Sequence, residues 1–181
     1  TKFTGYDHTV DQGTILAIVC DGEVCSEIDE GKQGVLVLDC TPFYAEMGGQ
    51  VGDAGTLSDD STLLKVSDTF RIKANVFGHA AHVAEGTLKK GDVITASVDA
   101  ERRQAIARNH SVTHIMHKAL REVLGVHVAQ KGSLVNAAIT RFDFSHDKPM
   151  TASEMAQVEE IVNKEILANT ETLCRELPIE E

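Results

Sequence analysis

Two histidines four residues apart, His110 and His114, fall inside the most regular helical stretch of the sequence. That spacing brings both imidazoles out on one helix face, where they can share one metal ion at the roughly 2.0 to 2.1 Å that zinc takes from nitrogen. His117 follows on the same side. Buried helices also use histidine as a hydrogen-bonded core residue, so the spacing alone leaves both readings open. A zinc protease of the HExxH type is disfavoured, because the place of its glutamate base is taken by Ser111. The second chemical feature is the run from Thr41 to Gln50, which ends in Met47-Gly48-Gly49-Gln50. Paired glycines let a backbone adopt positive φ or pass close to a ligand, and they deliver an amide, Gln50, that both donates and accepts. A plain glycine turn between strands is the alternative.

The elements that must position these residues change character at Asp99. Before it, short β segments are predicted at 14–20, 34–40, 61–66, 70–76, 79–84 and 93–98, separated by turns such as Asp21-Gly22, Glu30-Gly31 and Lys90-Gly91-Asp92. Strands so spaced suggest a small barrel. From Ala100 to Leu124 apolar residues recur at helical spacing (Ile106, Thr113, Met116, Leu120, Leu124), with Asp99 as the N-cap and Gly125 as the stop. Two strands are predicted at 126–135 and 138–145, then a helix over 152–168 capped by Thr151 or Ser153, then a last strand at 171–179. The expected fold is α+β: a small β-barrel subdomain over 1–98, then an α+β core over 99–181 in which a long helix packs on a sheet.

Composition narrows the function classes. The 181 residues carry 42% hydrophobic and 25% charged side chains, ordinary for a globular chain, and no apolar run approaches membrane-spanning length. A net charge of −11 argues against a general nucleic-acid coat, although residues 100–150 are locally basic. Aromatics are only 4% with no tryptophan, which disfavours a base-stacking platform. Cys20, Cys25, Cys40 and Cys174 show no close pairing, so no disulfide framework is expected and a reducing cytosol fits. The start at Thr1 suggests a piece of a longer chain.

The segments Val98-Asp99-Ala100-Glu101-Arg102-Arg103, Arg108-Asn109-His110-Ser111-Val112-Thr113-His114, Gln130-Lys131-Gly132-Ser133-Leu134-Val135 and Arg141-Phe142-Asp143-Phe144-Ser145-His146 together resemble the editing domain of the alanyl-tRNA synthetase family. Phe3-Thr4-Gly5-Tyr6 and the block from Thr41 to Asp53 resemble that family's upstream barrel. The resemblance covers the chain in the right order. It implies a hydrolase that removes serine or glycine wrongly attached to alanine tRNA, within a cytoplasmic, ATP-dependent ligase. The need for such a site is physical: one methyl group separates alanine from glycine and is worth about 0.8 kcal/mol. Serine adds one hydroxyl, which an apolar pocket rejects only about a hundredfold.

The resemblance further implies zinc held by His110 and His114 with a cysteine and a histidine of a CxxxH motif. No histidine follows Cys174, so those ligands are expected beyond Glu181, and zinc is expected to bind this chain weakly by itself. Thr41, Glu46, Gly48, Gly49 and Gln50 are implied to line the amino-acid pocket, with Gln50, His110 and His114 at the catalytic position. The partners implied are the tRNA(Ala) acceptor end and the remainder of the synthetase, with no membrane. Arg102, Arg103, Lys131 and Arg141 are equally suited to phosphate contacts or structural ion pairs. A free-standing alanyl-tRNA editing protein, a generic zinc hydrolase and a noncatalytic tRNA-docking module are the alternatives.

Overall fold

The computed structural model describes residues 1–171. The strand expected at 171–179 and Cys174 therefore lie outside the described residues. In chain order the strands are β1 (Lys2–Phe3), β2 (Val10–Cys20), β3 (Glu23–Cys25), β4 (Glu27–Asp29), β5 (Gln33–Leu38), β6 (Cys40–Thr41), β7 (Gly55–Ser58), β8 (Leu63–Lys73), β9 (Val76–Glu85), β10 (Thr87–Lys89) and β11 (Val93–Val98). Helix α1 (Ala100–Leu124), strands β12 (Gln130–Val135) and β13 (Thr140–Phe144) and helix α2 (Ala152–Ala168) follow. The fold is α+β, with six strands closed into a barrel. The chain divides into two compact units, one of residues 1–110 and 133–141, the other of 111–132 and the described residues from 142 onward.

In the first unit the barrel order is β11-β7-β8-β9-β5-β2, and β2 pairs back onto β11 from Val93↔Thr14 to Ser97↔Val10. Closure leaves no open edge, and β3 hangs on β2 as a short outer strand. The period-two pattern places alternate residues inside: on β11, Ile94, Ala96 and Val98 are buried. Ile15, Ile18, Leu36, Leu38, Phe43, Leu57, Leu64 and Val83 fill the same core. Each such Leu or Ile contributes about 1.5–3 kcal/mol by leaving water.

One strand expectation is corrected. The segments 61–66 and 70–76 are not two strands, because β8 runs unbroken from Leu63 to Lys73 against β9. Ser67-Asp68-Thr69 has the composition of a turn, but the pairing register shifts between Val66 and Asp68, so a bulge absorbs the polar residues without ending the strand. The cysteines also differ from expectation. The Sγ atoms of Cys20 and Cys25 lie 2.7 Å apart as free thiols.

In the second unit Ala119, Leu120, Val128 and Val158 form a buried cluster, joined by Met116, Phe142, Phe144 and Val162. Helix α1 has the bounds the apolar spacing predicts, and the Asp99 carboxylate accepts from the Arg102 N–H at 2.9 Å as its cap. For α2 the cap is Thr151, whose hydroxyl oxygen accepts from the Glu154 N–H while the Glu154 carboxylate accepts from the Thr151 N–H. Asn169 ends α2 in the left-handed region at φ 47°.

Candidate functional site

Met47 and Gln50 pair backbone to backbone around Gly48 and Gly49, at φ 63° and 87°, which makes a two-residue hairpin turn with both central residues in the left-handed region. The two glycines serve different ends. A Cβ on Gly48 would meet nothing within 4 Å, whereas one on Gly49 would sit 2.4 Å from Ser133 Oγ and 2.5 Å from its carbonyl oxygen. Gly49 thus lets the turn lie against β12, where Val135 N–H donates to Gly49 O at 2.7 Å and Val51 N–H to Val135 O at 3.1 Å. Gly48→Ala is expected to cost about 1–2 kcal/mol of left-handed strain. Gly49→Ala should cost clearly more in urea unfolding, and equal losses would show that the approach to Ser133 is not what requires glycine.

The docked turn carries Gln50, 7% exposed, to α1. His110 Nδ1 donates to Gln50 Oε1 at 2.6 Å, so the two features singled out in the sequence meet in one hydrogen bond. An amide oxygen only accepts, so the proton of this bond sits on Nδ1. His114 stands one helical turn further along α1 and is exposed. Its ring lines a cavity of about 490 Å³ with Ile115, Lys118, Ile161 and Glu165. His117 instead packs its ring 5.0 Å from that of Phe142, and its buried Nε2 has no hydrogen-bond partner among the described residues.

Thr41 is fully enclosed in the barrel, with its hydroxyl 2.8 Å from His79 Nε2. His79 Nδ1 lies 3.0 Å from Leu36 O, and a carbonyl only accepts. The proton is therefore on Nδ1, Nε2 accepts from Thr41, and the Thr41 oxygen accepts from the Phe43 N–H at 3.2 Å. Glu46 is exposed, and its N–H donates to Thr69 O at 2.9 Å. Burial of His79 disfavours its charged form and pushes it down to about 4. The unfolded chain then binds the proton first as pH falls. This contribution to stability is complete above about pH 6.5 and lost towards pH 4, amounting to about 2 kcal/mol by pH 5. His79→Gln should flatten stability between pH 7 and 5, and an unchanged slope would contradict a neutral buried ring.

Arg103 closes the barrel end from the start of α1. Its guanidinium forms a forked ion pair with the fully buried Asp53, with Nε 2.9 and 2.8 Å from the carboxylate oxygens and Nη2 also on Oδ2. It also donates to Gly5 O and Pro42 O, both at 2.8 Å. Arg102 donates to Gly52 O at 2.9 Å. Both arginines are thus structural, while Lys131 and Arg141 lie exposed.

Residues 1–102 match the family of tRNA synthetases class II (A). The chain belongs to the class II (A) tRNA synthetases. Over 182 aligned residues and the whole of this chain it is 54% identical to an alanine-tRNA ligase of Paraburkholderia phytofirmans and 56% to that of Methylibium petroleiphilum. An alanine-tRNA ligase of Acidovorax is 54% identical over 99% of the chain. This synthetase chain spans about a fifth of the length of the curated relatives it matches, 21% for the first two. No helix among the described residues is long and apolar enough to cross a membrane.

Sequence reasoning missed three constellations in this synthetase chain. His79 lies in a period-two strand with no motif to mark it, and Asp53 is unremarkable until its arginine arrives from 50 residues away. The third is His127 with His146. Their Nε2 and Nδ1 atoms are 2.9 Å apart, with rings within 18° of parallel and centroids 5.1 Å apart. Asp147 Oδ1 stands 3.7 Å from His146 Nδ1. The ligand-type atoms of His127, His146 and Asp147 lie within 4.8 Å of one another.

Proposed function

We propose that this chain carries the aminoacyl-tRNA deacylase site of an alanine-tRNA ligase, hydrolysing serine or glycine esters wrongly formed on alanine tRNA. The observation that carries the reading is the hydrogen bond between Gln50 Oε1 and His110 Nδ1 at 2.6 Å. It joins the glycine turn to the helix of the histidine pair, as one site needs and two unrelated features would not. Imidazole nitrogens suit zinc, and a ligating histidine usually donates its other N–H to an oxygen acceptor, the part Gln50 takes here. His110 and His114 would hold zinc, completed by a cysteine and a histidine further along the ligase, and the ion would supply a Lewis acid for the ester carbonyl.

The chain's own residues do the remaining work. Gln50 holds the His110 ring and its tautomer, and its amide N–H groups offer donors to an amino-acid hydroxyl or carbonyl. Gly48 keeps side-chain bulk from the open side of the turn, where the ester would approach, while Gly49 seats the turn against Ser133. Thr41 sets the segment leading into the turn through its bonds to His79 and Phe43. The substrate is the acceptor end of tRNA(Ala), in the cytoplasm, with the rest of the ligase supplying the remaining tRNA contacts.

The test is hydrolysis of serine-charged alanine tRNA by the intact ligase. Thr41→Ala, which removes only the buried bonds to His79 and Phe43, is expected to lower hydrolysis of serine and glycine esters alike. A selective loss of discrimination between serine and alanine esters would instead bring the Thr41 hydroxyl to the substrate. Binding of tRNA without any turnover by the unmutated ligase would instead favour a docking module.

A further inference from the structure

The turn Asp21-Gly22, at φ 52° and 83°, joins β2 to β3 and sets the pairs Cys20↔Glu23, Val19↔Val24 and Ile18↔Cys25. Cys20 and Cys25 are thereby diagonal neighbours on one face of the hairpin. Both are half-buried and pack against the barrel core. Their sulfurs, 2.7 Å apart, sit well inside the separation at which two nonbonded sulfurs rest, so the side chains already point along the line that an S–S bond of about 2.05 Å would take. Cys40 differs, because its thiol lies against the Asp11 carboxylate at 3.5 Å.

We propose that Cys20 and Cys25 form an oxidative modification site, closed reversibly to a disulfide by hydrogen peroxide. The Cys25 thiol first gives its proton to solvent, and the thiolate attacks a peroxide oxygen. The O–O bond breaks, hydroxide leaves and takes up a proton as water, and Cys25 is left as a sulfenic acid. The Cys20 sulfur then displaces the hydroxyl from Cys25, and the Cys20 proton leaves with it as a second water. Two thiols are oxidised by two electrons while one peroxide is reduced to two waters, and a dithiol reductant reverses the bond. Burial, reinforced by the neighbouring thiol, pushes Cys20 up to about 11, so Cys20 stays protonated and gives up its proton only as its sulfur attacks Cys25 in the second step. The bond would tie the outer strand β3 to β2, in a face remote in sequence from the histidine pair.

The experiment treats the folded chain with peroxide, alkylates the remaining thiols and maps them by mass spectrometry after digestion. The expected product has lost two hydrogens, with Cys20 and Cys25 alkylated only after dithiothreitol, and Cys40 and Cys174 alkylated throughout. Cys20→Ser and Cys25→Ser should each abolish it, while Cys40→Ser leaves it intact. The reaction should run at least tenfold faster in the folded chain than in guanidinium. Four alkylatable thiols after peroxide, a bond through Cys40 or Cys174, or equal rates folded and unfolded would each overturn the assignment.

Discussion

Replacing His110 by alanine in the intact ligase is expected to remove zinc from the proposed deacylase site and to lower hydrolysis of serine-charged alanine tRNA more than a hundredfold, roughly, since losing even an outer partner of a ligand costs 10–100-fold. The proposed site gives His110 two tasks. Its Nδ1 is fixed by Gln50 Oε1, and its ring would also be a ligand to the ion. Gln50→Ala removes only the first and should fall roughly 10–100-fold in metal affinity, with the ligand itself retained. The 181-residue chain alone is expected to lose zinc on dialysis, because two histidine nitrogens make half of a tetrahedral shell. A longer chain that includes the cysteine and histidine proposed to complete the site should gain zinc and deacylation together. Tight, stoichiometric zinc in the short chain, lost on changing Cys174, would show the ligands to be misassigned.

Arg103→Ala is expected to destabilise the barrel unit by about 3–5 kcal/mol, the cost of leaving a buried charge without its partner. Asp53 is fully buried and the Arg103 side chain only 16% exposed, so water cannot replace the guanidinium. The same change strips donors from Gly5 O and Pro42 O, while the carboxylate keeps the Tyr44 N–H at 2.8 Å. Denaturant unfolding reads the loss directly. Arg103→Ala together with Asp53→Asn should recover part of it, since no charge is then stranded. A loss below about 1 kcal/mol for the single change, the range of exposed pairs, would mean that the pair is open to solvent.

Much of the local architecture was legible in the sequence, because it is written in short-range patterns. The bounds of α1 follow from apolar spacing between Asp99 and Gly125, and the Thr151–Glu154 capping box follows from residue types three apart. Gly48-Gly49 marked a turn for the same reason. The unbroken course of β8 was not legible, since Ser67-Asp68-Thr69 has turn composition and only its pairing with β9 turns it into a bulge. Nor were the partners. Gln50 with His110, Asp53 with Arg103 and Thr41 with His79 are separated by 60, 50 and 38 residues. A side chain's type states what it can donate or accept, but burial and barrel closure decide which distant group it must satisfy. Composition left Arg103 equally fit for a phosphate or a carboxylate, and it became structural only when folding enclosed Asp53 beside it, because a buried carboxylate without a cation is too costly to persist.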